Sequence, residues 1–385
     1  MSAASAGGFA EDLRGFQTRF DAWLAAFVAE RRAIAAARDG GLDEFLSGVQ
    51  DYALRPGKRI RPFLVEAGYL AGGGARYDDV MPVAAAAEML HVFALAHDDV
   101  MDRSDLRRGL PTAHRMWEAW HGKHGLRGDA AHFGVSAALL IGDLALALSD
   151  TLIDSARLDS ERREAVRDVW NTMREEVIEG QFLDVVASSR PAPAPEQDIW
   201  SILSLKSGKY TLERPLHLGA AAAGADDSVF AAFTSFGIPL GRAFQIKDDI
   251  LGLFGDEVAT GKPVDSDIRE GKSTLLISRA YETSDEAGRD LLRRVWGDDA
   301  ASPADVEKVR EIVTSTGARR YAEQTAERLV REALDALAAA RIGADWRETL
   351  GGMAHFILTR ASGWRQGYSC HSAARRCGYR CRVAV

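Results

Sequence analysis

Apolar residues recur at helical spacing along nearly the whole chain. Between Phe9 and Arg38 they fall at Leu13, Phe16, Phe20, Trp23, Leu24, Phe27 and Val28, which predicts one long helix. Gly40–Gly41 breaks it, and a second helix is expected from Leu42 to Leu54. The run Arg55–Pro56–Gly57–Lys58–Arg59–Ile60–Arg61–Pro62 reads as a basic turn opening a third helix, since proline is tolerated in a first helical turn. Further helical patterns cover about 79–102, 129–156, 160–188, 198–223, 227–254, 275–283, 287–295, 303–316, 319–341 and 346–361. Pro191, Pro193 and Pro195 mark a surface loop, while Pro215 and Pro239 are expected to kink the helices that hold them. Strand-like alternation and fixed-period repeats are absent from the sequence. The expected fold class is all-α, a single large bundle of antiparallel helices.

Composition narrows this picture. A chain of 385 residues, 46% hydrophobic, is long enough to bury a large core. Its net charge of −8 argues against a nucleic-acid surface, and fits an anionic substrate only if cations mediate the contact. The three cysteines, Cys370, Cys377 and Cys381, all lie in the tail, so no disulfide framework supports the core; a reducing cytoplasm is expected. The N-terminus lacks the basic start and apolar centre of a signal peptide. The apolar run 130–148 approaches membrane-span length, but His132, Gly142 and Asp143 interrupt it, and a buried core helix is the expected reading.

Chemistry concentrates at His91–Gly109, HVFALAHDDVMDRSDLRRG. On a helix Asp98 and Asp102 stand four residues apart and project from one face. At the C-terminal end of that helix, two such carboxylates repel each other and meet the negative pole of the dipole. A hard divalent cation relieves both problems, and Mg²⁺ takes one or two protein carboxylates together with phosphate oxygens. Arg107 and Arg108 follow, and the guanidinium fork matches phosphate geometry. Alone, this stretch fits a solvated acidic turn equally well. The theme returns, however, at Phe244–Gln–Ile–Lys–Asp248–Asp249–Ile–Leu–Gly252–Leu–Phe–Gly–Asp256, with Gln245 on the face of Asp248. Gly261–Lys262–Pro263 and Lys272 come after it. Two aspartate pairs, each followed by basic residues, predict two helices facing each other across a cavity that clamps a polyanion and metal ions.

HDDVMD with DLRRG, GKRIRP at 57–62, GQFLD at 180–184, KSGKYT at 206–211 and FQIKDDILGLFGD together resemble the trans-isoprenyl diphosphate synthases, in that family's order and over about 9–361. The resemblance implies the isoprenoid synthase bundle with a central apolar cavity. It also implies Mg²⁺-dependent condensation of isopentenyl diphosphate with an allylic diphosphate, a homodimer, and no stable membrane insertion. Asp98, Asp102 and Asp248 would be metal ligands. Lys58, Arg61, His91 and Arg108, with Gly57 opening their motif, would hold isopentenyl diphosphate. Arg107, Lys206, Gln245, Lys262 and Lys272 would contact the allylic diphosphate, and Ser207 stands where the family often has threonine. Asp98, Asp102, Arg107, Lys206, Asp248 and Lys262 would carry the chemistry. The second motif departs from the family in one place: Gly252 replaces its last aspartate, leaving that site to Asp248, with Asp249 and Asp256 acting through water.

Product length is read from the helix above Asp98. One turn, ~5.4 Å, is roughly one isoprene unit. Ala94, four residues back, leaves the first turn open; Phe93, five back, is a candidate floor, although core packing explains it equally by spacing. A lone aromatic at that place resembles the geranylgeranyl-type synthases, so a C20 product is expected, with C15 the alternative. His97 reads as structural, and Glu175, Glu176 and Glu179 as a solvated face. Gln181 and Asp184 read as cavity-facing on the family match. A class I terpene cyclase would want a hydroxyl where Glu175 stands in Asn171–Glu175–Glu179; a non-catalytic synthase subunit would have eroded the ligands that are intact here. The domain is taken as 1–363, and 364–385 as a basic, cysteine-containing, disordered tail.

Overall fold

Short polar side chains set many of the helix starts. Asp129, Asp159, Asp226, Thr274, Asp285 and Ser302 each accept a backbone N–H from the first turn that follows. The computed structural model describes residues 3–255 and 265–359. Its main helices are α1 (Ala3–Arg38), α2 (Gly41–Leu54), α3 (Ile60–Ala71), α4 (Met81–Met101), α5 (Ala113–Lys123), α6 (Ala130–Ser155), α7 (Ser160–Ser188), α8 (Glu196–Ile202), α9 (Arg214–Ala223) and α10 (Asp227–Phe254). Shorter helices follow at Ser266–Arg269, Leu275–Thr283, Glu286–Val295 and Pro303–Ser315, then Ala318–Ala339 and Ala344–Thr359. The all-α class holds.

Aromatic and small residues divide the packing between them. Phe9 and Phe16 on α1 meet Phe63 on α3, each with ring centroids 5.7 Å apart, and Phe20 stacks on Phe16. The last helix returns to this cluster through Phe356, 6.0 Å from Phe9. Elsewhere alanine and glycine let helices approach closely: a side chain at Gly68 or Gly219 would overlap the backbone of the facing helix where α3 crosses α9. Such close packing is what makes a one-carbon change in these cores costly.

Four expectations need correction. The stretch 198–223 is not one α-helix: Leu203–Glu213 is wound as a π-helix between α8 and α9. Pro215 therefore sits in the first turn of α9, where its missing N–H costs nothing, while Pro239 lies inside α10. The sequence pattern also missed α5 and a two-residue antiparallel ribbon, β1 (Leu106–Arg107) with β2 (Leu110–Pro111). Helix α6 is buried on one face only. Ala138, Ile141, Ala145 and Leu152 face the core, but Leu139 and Leu140 are 38% and 57% exposed. The proposed boundary at 363 and the tail lie outside the described residues.

Candidate active site

Helix α4 ends at Met101 with Asp102 as its cap, so Asp98 and Asp102 stand at the C-terminal pole as the spacing requires. The middle carboxylate turns the other way. Asp99 is fully buried, accepts from the Tyr52 hydroxyl at 2.8 Å, and takes Arg107 Nε at 2.6 Å. Arg107 also reaches Asp98 through Nη2 at 3.3 Å. These carboxylates hold the Arg107 guanidinium above its ordinary pKa against the opposing effect of burial. The Tyr52 hydroxyl accepts the Ala113 N–H at 2.7 Å as well, which ties the start of α5 to the rim.

A tight turn aims the two arginines. Arg108 and Gly109 join β1 to β2 with φ of 56° and 76°, the positive pair that a two-residue hairpin demands. Arg107 consequently points to the carboxylates, and Arg108 crosses to the α2–α3 turn, donating to the Pro56 carbonyl at 2.5 Å. A Cβ on residue 57 would lie 2.8 Å from Arg108 Nη1, so Gly57 makes room for that guanidinium.

Beside it lies a cationic pocket. Arg61 donates to the Thr211 hydroxyl at 2.8 Å and covers the Tyr210 ring at 4.3 Å. Lys58 Nζ sits 5.6 Å from the centre of the Phe244 ring. Arg59 is the structural member of the basic run: it is buried and ion-paired with Glu88 and Asp21. The sequence motif does not distinguish it from its neighbours. Burial, with Arg61, Arg108, Arg107 and Arg59 around it, drives the His91 pKa well below the ordinary histidine value, so the imidazole is neutral at pH 7. His91 Nδ1 and the Tyr210 hydroxyl are buried without a hydrogen-bond partner. Two orphaned polar atoms among arginines suit an incoming anion with acceptor oxygens.

The second rim comes from α10 and the short helix that follows the undescribed segment. Asp248 is half-buried at the α10 C-terminal end. Asp249 is buried and accepts from Gln245 Nε2 at 2.8 Å, while Gln245 Oε1 accepts the Ser207 hydroxyl at 3.1 Å. Burial, with Asp267 and Asp248 nearby, pushes the Asp249 carboxyl up to about 8. Lysines join the rims. Lys272 Nζ lies 3.2 Å from Asp102, 2.8 Å from Glu270 and 3.9 Å from Asp267. Lys206 Nζ lies 2.6 Å from Asp184 and 3.8 Å from Asp98. Gln181 Nε2 donates to Asp98 at 3.1 Å, so Gln181 and Asp184 do face the site. Beside the second rim is a cleft of about 110 Å³ whose lining includes Lys206, Ser207, Gln245, Asp249 and Lys272, with Ile199, Ile202 and Leu203 as an apolar wall; Asp98, Asp102 and Asp248 do not line it. A larger concavity of about 260 Å³ lies between α2, α5 and α6; only Glu44 among its lining residues is ionisable.

These residues fit a hard cation that fills out its shell from a ligand. Burial, beside Asp98 and Glu270, raises the Asp102 carboxyl to about 6, the mark of carboxylates short of positive charge. Among the described residues no three acidic or histidine side chains converge tightly enough to hold an ion alone. A metal taking one or two protein carboxylates plus phosphate oxygens needs no such cage. Lys262 and Asp256 lie outside the described residues.

Other expectations divide. Phe93 packs edge-on against His97, centroids 4.7 Å apart, and His97 Nε2 reaches the Leu139 carbonyl at 3.1 Å, so His97 does brace α4 against α6. Ala94 is half-buried one position further along α4. Glu176 is not solvated: it is buried in ion pairs with Lys209 and Arg214, unlike exposed Glu175 and Glu179. Asn171 accepts from Arg174, which also pairs with Asp150. The roles of Thr211 and of the Tyr52–Asp99 pair carry no sequence signal, because Arg61 lies 150 residues from Thr211 and Tyr52 lies 47 from Asp99.

A polyprenyl synthetase family model matches residues 43–313. The geranylgeranyl diphosphate synthase of Sulfolobus acidocaldarius is 34% identical over 283 residues, 73% of this chain and 80% of that protein. The (2E,6E)-farnesyl diphosphate synthase of Mycobacterium tuberculosis is 35% identical over 314 residues, 79% of this chain and 80% of that protein. Among solved structures, the geranylgeranyl pyrophosphate synthase of Corynebacterium glutamicum, complexed with isoprenyl diphosphate and magnesium, superposes with a TM-score of 0.86 at 35% identity. That match covers 90% of this chain and 99% of the other. Sequence match and shared fold thus extend over the rims and the cationic pocket alike, and the chain belongs to the polyprenyl synthetase family of trans-isoprenyl diphosphate synthases, as a short-chain prenyltransferase.

Proposed function

We propose that this enzyme condenses isopentenyl diphosphate with an allylic diphosphate in a Mg²⁺-dependent reaction, and that its main product is geranylgeranyl diphosphate. The carrying observation is the link from the acidic end of α4 to the helix that packs on α10: Lys272 lies 3.2 Å from Asp102 and 3.9 Å from Asp267, Asp267 abuts Gly252 of α10, and a separate cationic pocket lies alongside. Asp98, Asp102 and Asp248 would hold the metal, which when bound supplies Lewis-acid neutralisation of diphosphate oxygens. Arg107, Lys206 and Lys272 set positive charge where negative charge grows on the departing pyrophosphate; Lys262 belongs to the same set by its motif. Ser207 acts through Gln245, fixing the amide that faces Asp249. Gly57, Lys58, Arg61 and Arg108 dock isopentenyl diphosphate, and His91 contributes a neutral hydrogen bond to it. The cavity that receives the allylic cation has to exclude water. The protein supplies no general base; the last proton goes to pyrophosphate.

Chain length rests on α4. Ala94 opens one turn beneath Asp98 and Phe93 closes the next, which favours C20 over the C15 product of the farnesyl-type relative. A homodimer is part of the same reading, supported by the apolar outer face of α6 at Leu139 and Leu140. So is the absence of stable membrane insertion, since α6 carries His132, Asp143 and Asp150 and α10 ends at the reaction site. Purified enzyme is incubated with isopentenyl diphosphate and C5, C10 or C15 allylic diphosphates, with Mg²⁺ or with chelator. C20 diphosphate should accumulate only with metal. Release of a cyclic hydrocarbon, or no consumption of any primer, would overturn the reading; a C15 end product would replace only its chain-length part. Phe93→Ala should lengthen the product, and an unchanged product would place the floor elsewhere.

A further inference from the structure

The two rims are built to one plan with one gap. On α4, carboxylates four residues apart, Asp98 and Asp102, occupy successive turns of one face. The matching pair on α10 would be residues 248 and 252, and residue 252 is glycine. That space is filled from elsewhere. The Asp267 carboxylate lies against Gly252, its Oδ2 2.5 Å from where a Cβ on residue 252 would stand, and among the described residues nothing else outside the adjoining backbone of α10 comes within 4 Å of that point. Its other oxygen, Oδ1, is 3.9 Å from Lys272 Nζ, the ammonium that also contacts Asp102 on the opposite rim. The Asp267 side chain is 22% exposed, and the backbone that carries it is held by the Lys272 N–H donating to the Asp267 carbonyl at 2.9 Å.

We propose that Asp267 supplies the carboxylate that α10 lacks at position 252, so that Asp248 and Asp267 form the second cation-holding pair and Gly252 is the seat that admits it. This rests on the proposed function, and it replaces Asp249 and Asp256 as the source of the missing oxygen ligand. Any side chain at 252 displaces Asp267, because the two occupy one volume. Glycine at 252 and aspartate at 267 are thus one structural unit, and the second site depends on the seating of the helix Ser266–Arg269 against α10.

The test reads binding rather than turnover. Mg²⁺-dependent binding of inorganic pyrophosphate is measured by titration calorimetry on the full chain, with far-UV circular dichroism confirming the fold of each variant. Asp267→Asn, which keeps shape and removes charge, should weaken binding about tenfold or more. Gly252→Asp combined with Asp267→Gly, which moves the carboxylate back onto α10, should recover binding relative to Asp267→Gly alone. Wild-type binding by Asp267→Asn overturns the proposal whatever the relocated variant does, and so does a folded relocated variant no better than Asp267→Gly. Asp98→Ala separates this from the broader reading. If it abolishes Mg²⁺-dependent binding while Asp267→Asn does not, only the role of Asp267 fails; if neither variant changes binding, the metal-clamp reading fails with it.

Discussion

The two aspartate pairs have the same sequence and unlike surroundings. In each, the first residue is half-buried at the rim and the second is buried in the protein. Asp99 meets a guanidinium and a phenol there, Arg107 and Tyr52. Asp249 meets one neutral amide, that of Gln245, with two further carboxylates nearby. The first rim is thus a built ion pair that aims an arginine. The second holds a carboxyl raised to about 8, which is mostly protonated at neutral pH. Identical dipeptides become different devices because the second carboxylate meets a buried arginine in one and a neutral amide in the other.

This contrast can be broken by substitution. Asp98→Ala should have the largest effect, lowering condensation about a thousandfold, by analogy with removing a preorganised electrostatic group, with little change in thermal unfolding. A near-normal rate would remove the metal assignment. Asp99→Ala leaves Arg107 without its buried partner and should cost about 3–5 kcal/mol in urea unfolding; a loss as small as that of Asp249→Asn would erase the distinction between the rims. Asp249→Asn should change stability by less than about 1 kcal/mol below about pH 4, where the carboxyl is protonated in both folded and unfolded chains, in chelator-treated protein. Its sign with pH is fixed. A carboxyl near 4 in the unfolded chain and about 8 in the folded one stabilises fully below the first value and loses that contribution as pH rises through the second. The asparagine variant should therefore gain on the wild type from about pH 4 to 8, measured as the difference in denaturation midpoints.

Much of this was legible because helix periodicity and the spacing of carboxylates are local. Asp98 and Asp102 share a face by arithmetic alone, and the basic residues that follow them advertise phosphate. What stayed hidden depends on contacts between distant segments. Glu176 looks like its exposed neighbours until Lys209 and Arg214 arrive from another helix. Arg59 differs from Lys58 and Arg61 only because Glu88 and Asp21 wait for it inside. Helix α5 escaped notice because its buried positions, Ala113, His114, Trp117 and His121, include two histidines and its apolar stripe is short. The ribbon has two residues per strand, too few to show alternation.

The wide coil from Leu203 to Glu213 has a consequence for how this protein tolerates change. Lys206 points to Asp184 and Asp98, Ser207 to Gln245, and Tyr210 and Thr211 to Arg61. One eleven-residue stretch therefore gauges the separation between the metal-side groups and the neighbouring anion pocket. Five-residue hydrogen-bond spacing sets that gauge. Deleting a single residue would tighten the winding to ordinary pitch and swing the two ends out of phase. Point substitutions here would be absorbed one contact at a time, whereas a change of length would misalign both halves of the reaction at once.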